Sequence, residues 1–265
     1  MPPAALSRRC AIGAFLLLAL SACSTLNRMP TGEETAARLE AEAAMAHLEQ
    51  ANASLSTIKG LGRIKLWGAD ERPQSQRAAW VAAAPDRLAI VVLAAGRPVV
   101  RVAADGRFVY LVDLQDSASS YTKKRTADAS LARLIRIPIT VTDIVAILAG
   151  RPPIPDHSRA SLQKDGQTGL RLLVLKNRWH VVAKIYIGPG SEDLRRWEVY
   201  GANGKLTYRV EFEEMQTVQG YRVPLRLLLT DDAGNGVQLE IEQYLVNVPV
   251  TTAMFEIPPP GAASP

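Results

Sequence analysis

Cysteine and histidine are scarce in this 265-residue chain, which has only Cys10, Cys23, His47, His157 and His180. Two cysteines cannot build a disulfide framework. So few thiol and imidazole groups also argue against a Cys- or His-based metal centre. Catalytic signatures are missing too: there is no G-x-S-x-G elbow, H-E-x-x-H pair or Walker A loop. His157 and His180 have no nucleophile or carboxylate at a useful spacing, and His47 reads as a solvated helix residue. Glu211, Glu213 and Glu214 read as solvated acids near a strand end. The expectation is a protein that is not an enzyme and holds no cofactor or metal. The net charge of +5 is spread thinly, without the dense basic stripe that a nucleic-acid partner demands.

What is present is the composition of a globular domain, 48% hydrophobic and 22% charged, long enough for a sizeable core. The first 22 residues read as an address. Arg8 and Arg9 form a positive n-region, and Ala11 to Leu20 is an uncharged apolar run. That run is too short to span a bilayer, which needs about 20 apolar residues, but it suits a signal h-region. Leu20-Ser21-Ala22-Cys23 then resembles a bacterial lipobox. The resemblance implies cleavage before Cys23, acylation of its sulfur and, with Ser24 following, export to the outer membrane. An ordinary cleaved signal and an uncleaved anchor are the plainer alternatives. Cleavage removes two arginines and no acids, so +5 becomes +3. A single acyl chain gives marginal membrane binding and several give a stable anchor.

The organisation expected is a signal peptide over 1–22, a tether over 23–30, one domain over 31–257 and a Pro-rich tail over 258–265. Thr31-Gly32-Glu33-Glu34 has capping-box spacing, and the Ala-, Glu- and Leu-rich stretch to Ala53 predicts a helix. Its apolar stripe, Leu39, Met45 and Leu48, is thin. From Leu55 the period changes to two, the mark of half-buried strands. Ile58, Ile64 and Leu66 share a face with Gly60 and Gly62. Leu88, Ile90 and Val92 alternate, as do Val100 and Val102, and Phe108, Tyr110 and Val112. Further runs centre on Leu172, Ile185, Val199, Val210, Leu227 and Leu239. Asp105-Gly106, Asp165-Gly166, Asn203-Gly204 and Asn235-Gly236 separate runs with hairpin-turn chemistry. The count is eleven to thirteen antiparallel strands. One interruption, 128–150, reads as two short helices: Asp128 to Arg136, then a run capped by Thr140-Val141-Thr142-Asp143 and ended by Gly150.

A long meander has an edge problem, and curling toward a barrel solves it. More than about eight strands leave room inside. The apolar faces would line that room and the helices would lie across it. The same alternation also describes a filled β-sandwich. Trp67, Trp80, Trp179 and Trp197 read first as core or rim packing.

The order of features resembles the receptor family of the lipoprotein localisation (Lol) system and related lipoproteins of its superfamily. The matching pieces are the lipobox at Cys23, the leading helix, Gly60-Leu61-Gly62-Arg63-Ile64, Pro85-Asp86-Arg87-Leu88, Ile137-Pro138-Ile139 through Leu148-Ala149-Gly150-Arg151-Pro152, and Phe255-Glu256-Ile257-Pro258. They cover most of residues 55–260. The resemblance implies a mainly β fold, a curled antiparallel sheet of about eleven strands forming a half-open barrel with an inserted helical lid and an N-terminal helix. It implies a monomer on the periplasmic face of a Gram-negative outer membrane. Its partners would be acylated lipoproteins or lipids, a periplasmic carrier protein, and the membrane through lipidated Cys23.

The cavity would be lined by Ile64, Leu66, Leu88, Ile90, Val92, Val102, Phe108, Tyr110, Ile185 and Leu227, and by Leu131, Leu134, Ile144 and Leu148 of the lid. The family also delivers cargo through a bulky apolar residue on the loop after its third strand. The matching loop, Leu93 to Pro98, has a small tip and carries Arg97. Leu93 is either the delivering residue or the last residue of its strand, so binding without delivery stays open. The other class of function is a non-catalytic adaptor lipoprotein that tethers an envelope complex, its barrel filled by side chains.

Intact-mass analysis of the protein isolated from membranes tests the anchor. We expect a mature chain that begins at an acylated Cys23, with Cys23→Ala abolishing the added mass; a mature chain with a free Cys23 or another N-terminus would contradict it.

Overall fold

The computed structural model describes residues 32–115, 120–126, 131–189 and 193–260. Of these, residues 38–260 belong to one compact unit. The signal, the tether with Cys23, residues 127–130 ahead of the lid and the tail beyond 260 lie outside the described residues. No described helix is long and apolar enough to cross a membrane.

Thirteen antiparallel strands build a single sheet, at the top of the range expected. They are β1 Thr57–Trp67, β2 Gln74–Ala83, β3 Arg87–Ala94, β4 Arg97–Asp105, β5 Phe108–Asp113, β6 Ser120–Arg125, β7 Arg159–Lys164, β8 Arg171–Lys176, β9 Val181–Ile187, β10 Leu194–Tyr200, β11 Leu206–Val218, β12 Tyr221–Thr230 and β13 Gly236–Val246. The spatial order is β6-β5-β4-β3-β2-β1-β13-β12-β11-β10-β9-β8-β7. Each half is a meander of sequential hairpins, and the first strand pairs with the last to join them. The two free edges, β6 and β7, are consecutive in sequence. The segment between them carries the helices α2 (Ala132–Ile135) and α3 (Val141–Leu148), and α1 (Gly32–Gln50) precedes β1. Buried residues of β1–β5, β8–β13 and α3 belong to one continuous apolar cluster. A flat sheet could not bring them together, so the sheet is curled.

The register aligns inward side chains into belts. One runs Phe212, Leu227, Leu239, Ile64, Gln76; the next runs Val210, Leu229, Val237, Leu66, Gln74. β13 switches parity at a bulge at Glu242, which lies between the residues paired to Leu61 and Gly62, so Val237, Leu239 and Ile241 before it and Tyr244 and Val246 after it all face inward.

Three strands lack an apolar alternation because polar or small residues break it. The edge strands β6 and β7 are charged, with Lys123, Lys124, Arg125, Arg159 and Lys164, as edges that must not recruit another chain usually are. β2 offers Gln74, Gln76, Ala78, Trp80 and Ala82 to the concave face, a mixture without period-2 contrast. In β5 the structure corrects the expected parity. Val109 and Leu111 pair with Ala104 and Val102 on the concave face, so Phe108, Tyr110 and Val112 point the other way. Both faces of β5 are apolar because both are covered. The 3-10 turn Thr252–Phe255 packs on the convex side of β3 and β4, Phe255 is fully buried, and the Tyr121 hydroxyl donates to the Ile257 carbonyl at 3.2 Å.

α1 also departs from its expected stripe. Leu39 is exposed, and the buried face consists of Ala41, Ala44 and Leu48. Small residues let the helix approach closely, and a pattern of large apolar residues misses them.

Two glycines of β1 permit the closest approaches. A Cβ on Gly60 would fall inside the Trp80 ring, and one on Gly62 would collide with the Glu240 carbonyl at the bulge. We expect Gly60→Ala and Gly62→Ala each to destabilise the domain by about 1–3 kcal/mol, the range for overpacking, as a lowered urea midpoint at unchanged slope.

Candidate functional site: an apolar cavity beneath the helices

The curled sheet is filled at one end and hollow at the other. At the filled end, Leu55, Ile58, Leu88 and Val223 are buried side by side. The C-terminus of α3 is pinned there. The Tyr244 hydroxyl donates to the Leu148 carbonyl. The Asn52 amide donates to the carbonyls of Ala149 and Arg222, at 2.8 and 2.7 Å, while its oxygen accepts from the Arg222 N–H at 3.1 Å. Gly150 makes this fit possible: its φ is +72°, and a Cβ would lie 2.7 Å from the Arg222 carbonyl oxygen. Nearby, Asp193 is gripped by the Arg222 guanidinium at 2.9 and 2.8 Å, which holds its carboxyl below the usual range despite burial.

The N-terminus of α3 has its own fastening. Thr140 and Asp143 form a reciprocal capping box, and the Tyr208 hydroxyl donates to the Asp143 carboxylate at 3.0 Å. Burial, and then the neighbouring carboxylate, push the Tyr208 hydroxyl well above the ordinary tyrosine range, so it stays a donor.

Between these fastenings and the sheet lies a cavity of about 370 Å³, the size of a small-ligand pocket. Ile64, Leu66, Ile90, Val92, Val102 and Leu227 form walls, with Leu131, Ile144 and Leu148 above them. The structure adds Trp80, Val210, Leu229, Val237 and Leu239 from the sheet and Ile135, Ile139 and Ile147 from the helical segment. The register places Val210, Leu229, Val237 and Leu239 in the belts of Leu66 and Ile64, so strand parity could have found them. Trp80 lies on the strand that shows no period. Its indole N–H is buried without a hydrogen-bond partner, a group that usually costs about 1–3 kcal/mol to bury.

The remaining expected residues lie elsewhere. Leu88 is buried in the packed floor rather than against the void. Ile185 pairs with Leu173 and Trp197, and the Trp197 ring stands edge-on to Tyr208 at 5.5 Å. The large indole fills that wing of the sheet, so Ile185 is core. Phe108 and Tyr110 are on the convex face, Tyr110 donating to Asp105 at 2.7 Å. The side chain of Leu134 is outside the described residues. Leu93 and Arg97 are strand residues, Leu93 half-buried and paired with Pro98. The loop expected there is a two-residue turn of Ala95 and Gly96, both at positive φ, the hairpin geometry that twisted strands prefer.

The cavity has a polar end. Gln74, Gln76, Asp113 and Gln115 line it beside Leu66, Ala94 and Val237. Those residues mark the ends of β1, β3 and β5 and the starts of β2 and β13, so the mouth opens at one rim of the sheet. Among the described residues Asp113 is the only charged one in the lining, and none of the lining residues is Ser, Cys, His or Lys. The arrangement can enclose apolar matter with a polar group at the rim; it presents no nucleophile–base pair. Among the described residues no cluster of His, Cys, Asp and Glu could hold a metal. Elsewhere, Glu211 faces Arg196, and Glu213 and Glu214 face Arg226, in solvated ion pairs.

No family model matches the chain, and no curated protein matches its sequence. Solved structures do match its shape. A LolA superfamily protein of Nitrosomonas europaea superposes with a TM-score of 0.57 at 15% identity, covering 81% of this chain and 97% of that one. A DUF1329 family protein of Desulfovibrio piger superposes with a TM-score of 0.59 at 11% identity, covering 83% and 97%. The chain has the fold of these proteins.

Tyr208→Phe and Tyr244→Phe each remove one fastening of α3, about 1 kcal/mol. Hydrogen exchange of the amides of 141–148 is expected to speed up about fivefold in each variant, against unchanged exchange in β12; unchanged exchange in α3 would mean that packing alone holds it.

Proposed function

Proceeding from the LolA-superfamily fold, we propose that this protein is an outer-membrane lipoprotein, anchored through Cys23, that receives the acyl chains of lipoproteins or lipids in the cavity under α3. The observation that carries the reading is the void itself. A body whose only task was to hold a partner complex would gain stability by filling that space, because interiors pack densely and empty apolar volume is costly. Here aliphatic side chains and one indole surround about 370 Å³, with one charge, Asp113, at its rim. Each methylene moved from water into such a site gains about 0.8 kcal/mol. No covalent step is needed. Acyl chains pass from one dry site to another, downhill when the receiving site is drier or better fitted.

α3 supports the same reading. It is a short helix with a fixed cap, fastened to the sheet by two tyrosine hydroxyls, and its inward face consists of Ile144, Ile147 and Leu148. Opening it would break these bonds and expose the buried Val141, Val145, Ile147 and Leu148, while the strand pairing stays intact. The order of motifs shared with the Lol receptor family, from Gly60 to Pro258, points to lipoproteins as the acylated cargo and to a soluble periplasmic carrier as their source.

Native mass spectrometry of the protein purified from an envelope extract tests this. A co-purifying lipid or acylated peptide is expected. Ile144→Asp or Leu131→Asp, which puts a carboxylate into the apolar wall, should weaken its retention at least about tenfold. A clean apo mass, with no uptake of a fluorescent fatty acid, would sink the reading and leave the adaptor.

A further inference from the structure

The delivery loop expected at Leu93 has no apolar tip, yet the same rim of the sheet carries one elsewhere. In an antiparallel sheet, alternate turns share a rim. The register running β12–β11–β10–β9–β8 puts the β8–β9 and β10–β11 turns at the rim that also holds the cavity mouth. The β8–β9 turn is Asn177-Arg178-Trp179-His180, and Trp179 is 83% exposed, more than any other large apolar side chain of the described residues. The Arg178 guanidinium lies 4.9 Å from its ring centroid. Leu114, exposed at the end of β5, stands on the same rim.

Charge is divided along this rim. Arg159 opens β7, Lys176 and Arg178 flank the tryptophan, and Lys205 lies in the β10–β11 turn, with Asp156 ahead of β7 and Glu198 near the end of β10. The acids Asp70, Glu71, Asp231 and Asp232 lie at the β1–β2 and β12–β13 turns, where Arg72 adjoins Glu71, Arg136 pairs with Glu71 at 2.7 Å, and Asp231 is occupied with the N–H groups of Ala233 and Asn235. Among the described residues the opposite rim has no exposed large aromatic; its turns carry Asp86, Asp105, Asp165 and Gly220, with Arg107 beside Gly106.

We propose that the β8–β9 turn is a membrane-contact element, with Trp179 seated at the headgroup level of a bilayer and Lys176, Arg178 and Lys205 facing anionic lipid. An indole with an apolar body and one N–H donor suits that depth, and each basic side chain near an anionic surface adds to the attraction. The contact turns the mouth of the cavity toward the membrane, so an acyl chain leaving or entering it need cross little water. The site is distinct from the cavity and stands whatever the cavity holds.

The test uses the purified whole protein mixed with vesicles of phosphatidylethanolamine and phosphatidylglycerol brominated on their acyl chains near the headgroup. Tryptophan emission is expected to be quenched, and Trp179→Phe is expected to remove that quenching, leaving only the signal of Trp67, Trp80 and Trp197. Arg178→Glu, or a shift from 0.1 to 1 M salt, should reduce it several-fold by removing or screening the attraction. A brominated lipid drawn into the cavity would quench Trp80 instead; that component survives Trp179→Phe and disappears with Ile144→Asp, so the two readings fail separately. The membrane contact is overturned if quenching is the same in Trp179→Phe, or if aqueous acrylamide reaches Trp179 equally with and without vesicles, which would free the turn for a protein partner.

Discussion

The pairing of β1 with β13 governs everything else in this fold. It joins residues 169 to 188 positions apart, Trp67 with Gly236 and Ile58 with Val246. Without it the chain would be two separate meanders with four free edges. With it there is one sheet with two edges, both charged, and the helical insertion leads from one to the other. The junction is tight. Gly62 faces a carbonyl across it, Gly60 lies under the Trp80 ring, and Gly236 lies under Trp67. Side chains at these three positions would push the halves apart or turn the rings away. The bulge at Glu242 keeps the inward residues of β13 inward on both sides of the junction.

The cavity follows from an uneven filling of that curled sheet. Thirteen strands enclose more space than aliphatic side chains occupy. On one wing Trp197, Tyr208 and Ile185 fill it, and at one rim Leu55, Leu88 and Tyr244 do so. The remainder is covered by α3, which is short, apolar below, and held by polar fastenings at each end. Tyr208 and Tyr244 remain donors because burial disfavours the phenolate. α3 is fastened by hydrogen bonds at both ends and also buries Val141, Val145, Ile147 and Leu148 in the core cluster, so displacing it costs that burial as well as the bonds. The empty apolar volume is the physical basis for reading the hollow as a receiving site.

Much of this was legible in the residues. The change of period at Leu55, the Asp-Gly and Asn-Gly turns, and the cap at Thr140 with its stop at Gly150 mark strands and lid where the structure has them. Of the thirteen residues expected around the cavity whose side chains are described, nine line it. The failures have distinct causes. Phe108-Val109-Tyr110-Leu111-Val112 is apolar at every position, so period-2 contrast vanishes and parity cannot be read; the C-terminal segment that covers the convex face is more than a hundred residues away. Leu88 and Ile185 have the right parity but the wrong depth. β2 escaped because alanine and glutamine carry little contrast, and it brought Trp80 and both glutamines with it.

The sequence by itself determined the local geometry: which residues face the same side of a strand, where turns reverse, where α3 begins and ends, and which segment reads as an address ahead of Cys23. These are properties of a few neighbouring residues, set by sterics, capping hydrogen bonds and period. Tertiary structure alone decided that β1 meets β13, that one wing is filled and the other hollow, that Leu93 is a strand residue, and that Trp179 shares a rim with the cavity mouth. Each depends on distant segments competing for the same apolar surface, and no local pattern records the outcome of that competition.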